Sequence, residues 1–121
     1  MGIDKATPLG AIKISIEAIA NVAGEAASSC YGVVGLADKL TLVQGLVTLL
    51  NPQDYVKGVY CHHHRKNKGY EVDVYIVAAY GVKITEVLSE VQKRIRYELE
   101  KTFDIPFEYV NVFVQGVKEI K

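Results

Sequence analysis

Apolar residues recur along this chain with two different periods, and each change of period marks an element. Met1 to Pro8 reads as a flexible tail, after which Ile12, Ile14 and Ile16 alternate with Lys13 and Ser15, the period-two pattern of a half-buried strand. From Ser15 to Cys30 the spacing changes to three and four residues through Ile16, Ile19, Ala20, Ala23, Ala27 and Cys30, which predicts a small-residue helix able to pack closely. Ser15 and Glu17 are its capping candidates. Gly32 and Gly35 bracket Val33 and Val34, ending the helix and opening a short extended segment. Leu42, Leu46 and Leu49 then suggest a helix over Thr41 to Leu50, stopped by Asn51-Pro52.

A hairpin follows, from Val59 to Arg65 and from Tyr70 to Tyr80. With Asn67 and Lys68 at the tip, Lys66 faces Gly69, and the pairing aligns Cys61 with Val74 and Val59 with Ile76 on an apolar face. The opposite face then holds His64 with Glu71, His62 with Asp73 and Tyr60 with Tyr75.

The last long helix carries the stripe Ile84, Val87, Leu88, Val91, Ile95 and Leu99, while Glu86, Glu90, Arg94 and Glu98 run along another line. Burying each stripe residue contributes on the order of 1.5 to 3 kcal/mol, whereas an i,i+4 ion pair adds roughly 0.2 to 0.5 kcal/mol. Packing therefore decides this helix. Asp104-Ile105-Pro106 ends it, and Val110, Val112 and Val114 form the inner side of a final strand. A strand, a helix and another strand imply two parallel neighbours in one sheet. The fold class is α+β: a mixed sheet of about four strands, two main helices packed on one face, and a short helical insert.

Composition fits one soluble domain. The chain has 121 residues, 50% hydrophobic and 23% charged. Fourteen basic and fourteen acidic residues cancel, which removes the overall attraction to nucleic acid or an anionic membrane. Two cysteines, Cys30 and Cys61, are too few for a disulfide framework and suit a reducing cytoplasm. No signal peptide is evident, and the longest apolar stretch, Leu40 to Leu50, is about half of what a bilayer crossing needs.

The second face of the sheet carries the candidate chemistry. Tyr60, Tyr75, Val77, Tyr109 and Phe113 form a partner-binding set, because a two-layer domain needs only one face for its core. His62, His64, Glu71 and Asp73 are weak metal candidates on the same face, with cross-strand polar pairing as the plainer reading. Lys57, Arg65, Lys66 and Lys68 make a local phosphate or anion patch, or a solvated turn. Gly32-Val33-Val34-Gly35 matches the GxxG spacing of an RNA-clamping loop, but its two valines argue against that use. Cys61 and His62 point to opposite faces, so they form no nucleophile pair. No catalytic constellation emerges, and no cofactor is implied. A single-stranded nucleic-acid binder stacking bases on the tyrosines is the alternative to a contact-making protein, disfavoured by the neutral charge.

Four blocks, in order, carry a resemblance: Leu9-Gly10-Ala11-Ile12-Lys13-Ile14-Ser15, Cys30-Tyr31-Gly32-Val33-Val34-Gly35, Tyr80-Gly81-Val82-Lys83-Ile84 and Val110-Asn111-Val112-Phe113-Val114-Gln115-Gly116-Val117. Together they resemble the alkaline shock protein family, in its YloU-like branch from Gram-positive bacteria. The resemblance implies one domain over residues 9–118, with a variable helical insert at 40–56. It also implies a cytoplasmic, membrane-proximal protein linked to envelope stress and homeostasis. Such a protein self-assembles, binds a protein partner, and reaches the membrane only through a separate anchoring protein. The family has no established catalytic residues to carry over, and the triple histidine is not part of the pattern.

Overall fold

The computed structural model describes residues 2–38, 49–63 and 69–119. The first element is β1, Gly2–Thr7, where the sequence suggested a tail. It pairs antiparallel with β2, Gly10–Ser15, placing Ile3 opposite Ile14 and Thr7 opposite Gly10. This hairpin forms a sheet of its own, so the predicted Ile12 and Ile14 strand is present, but its partner is the segment before it and, of the two, Ile14 packs against the core while Ile12 is exposed. Alternation reports that a strand has two unlike faces; it does not report which edge the strand joins. Ile3 is fully buried and ties the base of the hairpin to the core.

Ser15 then closes β2 and caps α1, Ile16–Ser28, with its side chain accepting the Ala18 amide at 3.2 Å. The small residues of α1 let a neighbour approach. A Cβ placed on Gly24 would lie 2.2 Å from Tyr55 Cδ2, so only glycine admits the ring there. The Tyr55 and Ser28 hydroxyls lie 3.1 Å apart at the same contact. Tyr55 belongs to a 3₁₀ helix, Pro52–Gly58, whose Pro52 sits at the helix start. There its missing amide costs nothing, which is why this proline opens an element as well as ending a segment. Of the predicted Thr41 to Leu50 helix, Leu42 and Leu46 lie outside the described residues. Leu49 forms an antiparallel bridge with Ala37, and the Leu50 amide donates to the Leu36 carbonyl at 2.8 Å, so these two residues are extended beside β3, not helical.

The main sheet is built around β5, Tyr70–Ala79. One edge of β5 carries β6, Phe107–Lys118, in parallel along its whole length. The other edge is shared end to end by two antiparallel strands: β4, Val59–His63, beside residues 70–74 and β3, Val33–Leu36, beside residues 76–78. The observed β4–β5 register pairs Val59 with Val74, Tyr60 with Asp73, Cys61 with Val72 and His62 with Glu71. This corrects the expected pairing by two residues, and the ladder is centred one residue earlier than a tip at Asn67 and Lys68 requires. A two-residue slip leaves every side chain on its face, so the hydrophobic pattern could not distinguish the two registers.

The parallel β5–β6 pair is joined by α2, Ile84–Phe103. Val87, Val91, Ile95 and Leu99 of its stripe are buried, with Leu88 partly so. They meet Ile19, Ala20, Ala23 and Ala27 of α1 over Val59, Cys61, Val72, Val74, Ile76 and Val110 of the sheet in one core cluster. The ion pair of Arg94 with Glu98, at 3.7 Å, is solvent-facing. Asp104 ends α2 in the left-handed region (φ 54°), its amide donating to the Glu100 carbonyl at 2.9 Å. Both helices thus lie on the valine face of the sheet, and neither covers the opposite face.

Candidate contact face on the outer side of the sheet

Three adjacent strands deliver an aromatic row to the outer face. The rings of Tyr60 on β4 and Tyr75 on β5 meet edge to face at 5.8 Å between centroids. Tyr75 in turn stacks on Phe113 of β6 at 4.9 Å and 18°. The row follows from the observed ladder: Tyr75 is directly opposite Phe113, while Tyr60, paired with Asp73, reaches it diagonally. Its middle member is only 8% exposed, whereas Phe113 is 43% and Tyr109 48% exposed. Tyr75 therefore backs the row, and the accessible aromatic surface is that of Tyr60, Tyr109 and Phe113.

Val77 does not belong to an accessible set, because it is completely buried. At its level β6 bulges, with Val114 opposite Ile76 and Gly116 opposite Val77. The extra residue, Gln115, is buried and donates from Nε2 to the Asp38 carbonyl beyond β3 at 3.3 Å, a reach that crosses β5. Alternation with Tyr75 places Val77 in the docking set. Its burial corrects that.

Beside the aromatic row lies a polar cluster. His62 Nε2 is 3.2 Å from Asp73 Oδ2. The Asn111 amide donates to Asp73 Oδ1 at 2.8 Å and to Glu71 Oε2 at 2.5 Å, standing between two carboxylates of the same strand face. Asn111 was missed as a site residue. Its position between Tyr109 and Phe113 on an alternating strand was the available signal. The expected His62 and Asp73 pairing is thus realised diagonally, and Glu71 is held through Asn111. His64 lies outside the described residues, among which no group of three or more histidine, cysteine or acidic side chains could hold a metal ion.

The remaining candidates separate. Arg65, Lys66 and Lys68 lie outside the described residues; Lys57 is at the end of the 3₁₀ helix, its ammonium 3.9 Å from Asp54. Gly32 to Gly35 is not an open loop, since Val33–Leu36 is strand β3 and Val33 is buried. Gly32 has φ 87°, and a Cβ there would come within 2.6 Å of Val87 Cγ2, so the motif's first glycine serves a turn and a close helix approach. Burial pushes the Cys61 thiol up to about 11, with the nearby Asp73 charge adding to the effect. Cys30 lines a cleft of about 420 Å³ with Arg94 and Glu90. There too burial raises the thiol, against the lowering pull of Arg94, so neither cysteine is an activated nucleophile. No described helix is long and apolar enough to cross a membrane.

Comparison with known proteins supplies the relationship. The profile of the alkaline shock protein 23 family, described as having a cell envelope-related function, matches residues 4–119. The chain belongs to the alkaline shock protein family. Within it, the uncharacterized protein YloU of Bacillus subtilis (strain 168) is 39% identical over 118 residues, covering 98% of this chain and 97% of that protein. The uncharacterized protein Spy1614 of Streptococcus pyogenes serotype M6 is 39% identical over 111 residues, covering 92% and 90%. A second B. subtilis protein, the uncharacterized YqhY, is 30% identical over 112 residues, covering 93% and 80%. No solved structure matches the chain. The family match includes β1 from Asp4 onward, so the hairpin lies within the shared region.

Proposed function

We propose that this member of the alkaline shock protein family is a non-enzymatic scaffold of the cell envelope stress response, acting in the cytoplasm close to the membrane. It works by self-assembly and by holding a protein partner through the outer face of its main sheet. The observation that carries the reading is the aromatic row Tyr60, Tyr75 and Phe113, continuous across three strands on the face opposite both helices. Rings already stacked on one another lose little freedom on docking, and tyrosine brings a large apolar area with a polar tip. The raised thiols of Cys30 and Cys61 fit a protein without nucleophilic chemistry. The family's envelope-related description gives the setting.

Light scattering across a concentration series tests the reading. The wild type is expected to exceed the 13.4 kDa of one chain, and Phe113→Lys or Tyr109→Lys to lower the mass toward it. A wild type that stays at one chain's mass at high concentration contradicts self-assembly.

A further inference from the structure

We infer that the outer face recognises a cationic polypeptide segment, one whose arginine or lysine side chains meet the Glu71 and Asp73 carboxylates and lie over the neighbouring rings. This inference rests on the contact-face reading and adds the chemistry of the partner. Glu71 and Asp73 stand on the same side of β5, and Asn111 donates to one oxygen of each. Asn111 thereby holds two like charges side by side without neutralising either. Asp73 gives its second oxygen to His62, while Glu71 has no hydrogen-bond partner beyond Asn111 among the described residues.

No described lysine or arginine answers these charges. Lys57, near Tyr60, has its ammonium beside Asp54. Arg96, at the β6 edge, is turned to the carbonyls of Phe107 and Glu108, and Lys93 lies 3.9 Å from Glu90. The carboxylates of Glu71 and Asp73 thus stand together on this face, while Lys93, Arg96 and Glu108 line a cleft with Tyr109 and Asn111 at the β6 edge. A pair of carboxylates flanked by the exposed faces of Tyr109 and Phe113 offers a guanidinium both of its preferred contacts, oxygen acceptors in its plane and aromatic density above it.

The probe is an eight-residue peptide alternating serine and arginine, with a serine and glutamate peptide as control, titrated into ¹⁵N-labelled full chain and followed by amide chemical shifts. The arginine peptide is expected to move the amides of Tyr60, His62, Glu71, Asp73, Tyr109, Asn111 and Phe113. Its apparent affinity should fall as salt rises, and the glutamate peptide should leave these amides in place. The double variant Glu71→Gln with Asp73→Asn keeps an acceptor oxygen for Asn111 at each position. It should melt near the wild type and bind the arginine peptide roughly tenfold more weakly.

Shifts centred on the glutamates of α2, equal response to both peptides, or unchanged affinity in the double variant would overturn the inference. If the peptide fails while Phe113→Lys still lowers the light-scattering mass, the charge chemistry is wrong and the contact face stands. If Phe113→Lys leaves the mass unchanged as well, both fall. A double variant that lowers the mass of a wild type that binds no peptide would place a second copy on the face and overturn the peptide segment as its occupant.

Discussion

The inner and outer sides of β5 are made by alternate residues of one strand, yet they answer to different physics. Val72, Val74 and Ile76 point inward and are completely buried against α1 and α2. Glu71, Asp73 and Tyr75 point outward into hydrogen bonds and ring contacts with β4 and β6. On the inner side any loss of volume leaves a cavity in a dense core. On the outer side Tyr75 and Val77 are buried as well, whereas Tyr109 and Phe113 stand at the surface, and there a loss of volume chiefly changes what the surface presents. The contrast teaches that stability and recognition can be carried by one strand and still be changed separately.

The largest effect should come from the inner side. Ile76→Ala is expected to destabilise by about 2 to 5 kcal/mol, read from a urea unfolding midpoint, and a cost below about 1 kcal/mol would mean the helices do not pack there as described. Next in size is Gly24→Ala, where the added methyl meets the Tyr55 ring. Overpacking of this kind costs roughly 1 to 3 kcal/mol, and Tyr55→Leu in the same chain should recover part of it.

A third test uses pH. Cys61 holds its proton in the fold until about pH 11, against 9.0 for an ordinary thiol, so the folded state binds more protons between those values. The contribution is complete below pH 9 and is lost as pH rises toward 11, on the order of 2 kcal/mol in all. Cys61→Val should flatten that alkaline decline in the unfolding midpoint. A decline identical in the variant would assign it to other groups.

The outer side should give the smallest change in stability and the largest change in association. Phe113→Lys removes one stacked ring pair, at a cost of about 1 kcal/mol or a few degrees in melting temperature.

What could be read from residues alone divides along the same line. The core sides of α1, α2, β5 and β6 were legible, because burial imposes a period: the stripe Val87, Val91, Ile95 and Leu99 and the valines of β6 are where their spacing placed them, whereas Ile12 of β2 is exposed. The outer face was legible as a face, since Tyr60, His62, Asp73 and Tyr75 keep their side under any even shift of register. Its contacts were not. The His62 approach to Asp73 is diagonal, and the Asn111 bridge depends on a parallel neighbour forty positions away in the chain from Glu71. Gln115 sits in a bulge that alternation cannot announce, and the burial of Val77 on the outer side is equally invisible to a period of two. The first strand's partner was equally hidden, because Ile3 is one apolar residue in a polar stretch and its burial comes from packing that only the fold brings together.

The decisive measurement follows Phe113→Lys and the wild type side by side, recording light-scattering mass and melting temperature on the same samples. Separate duties for the two faces predict a variant that melts within a few degrees of the wild type while its mass falls toward 13.4 kDa. A variant that unfolds as readily as Ile76→Ala, or one that keeps the wild-type mass, would contradict it.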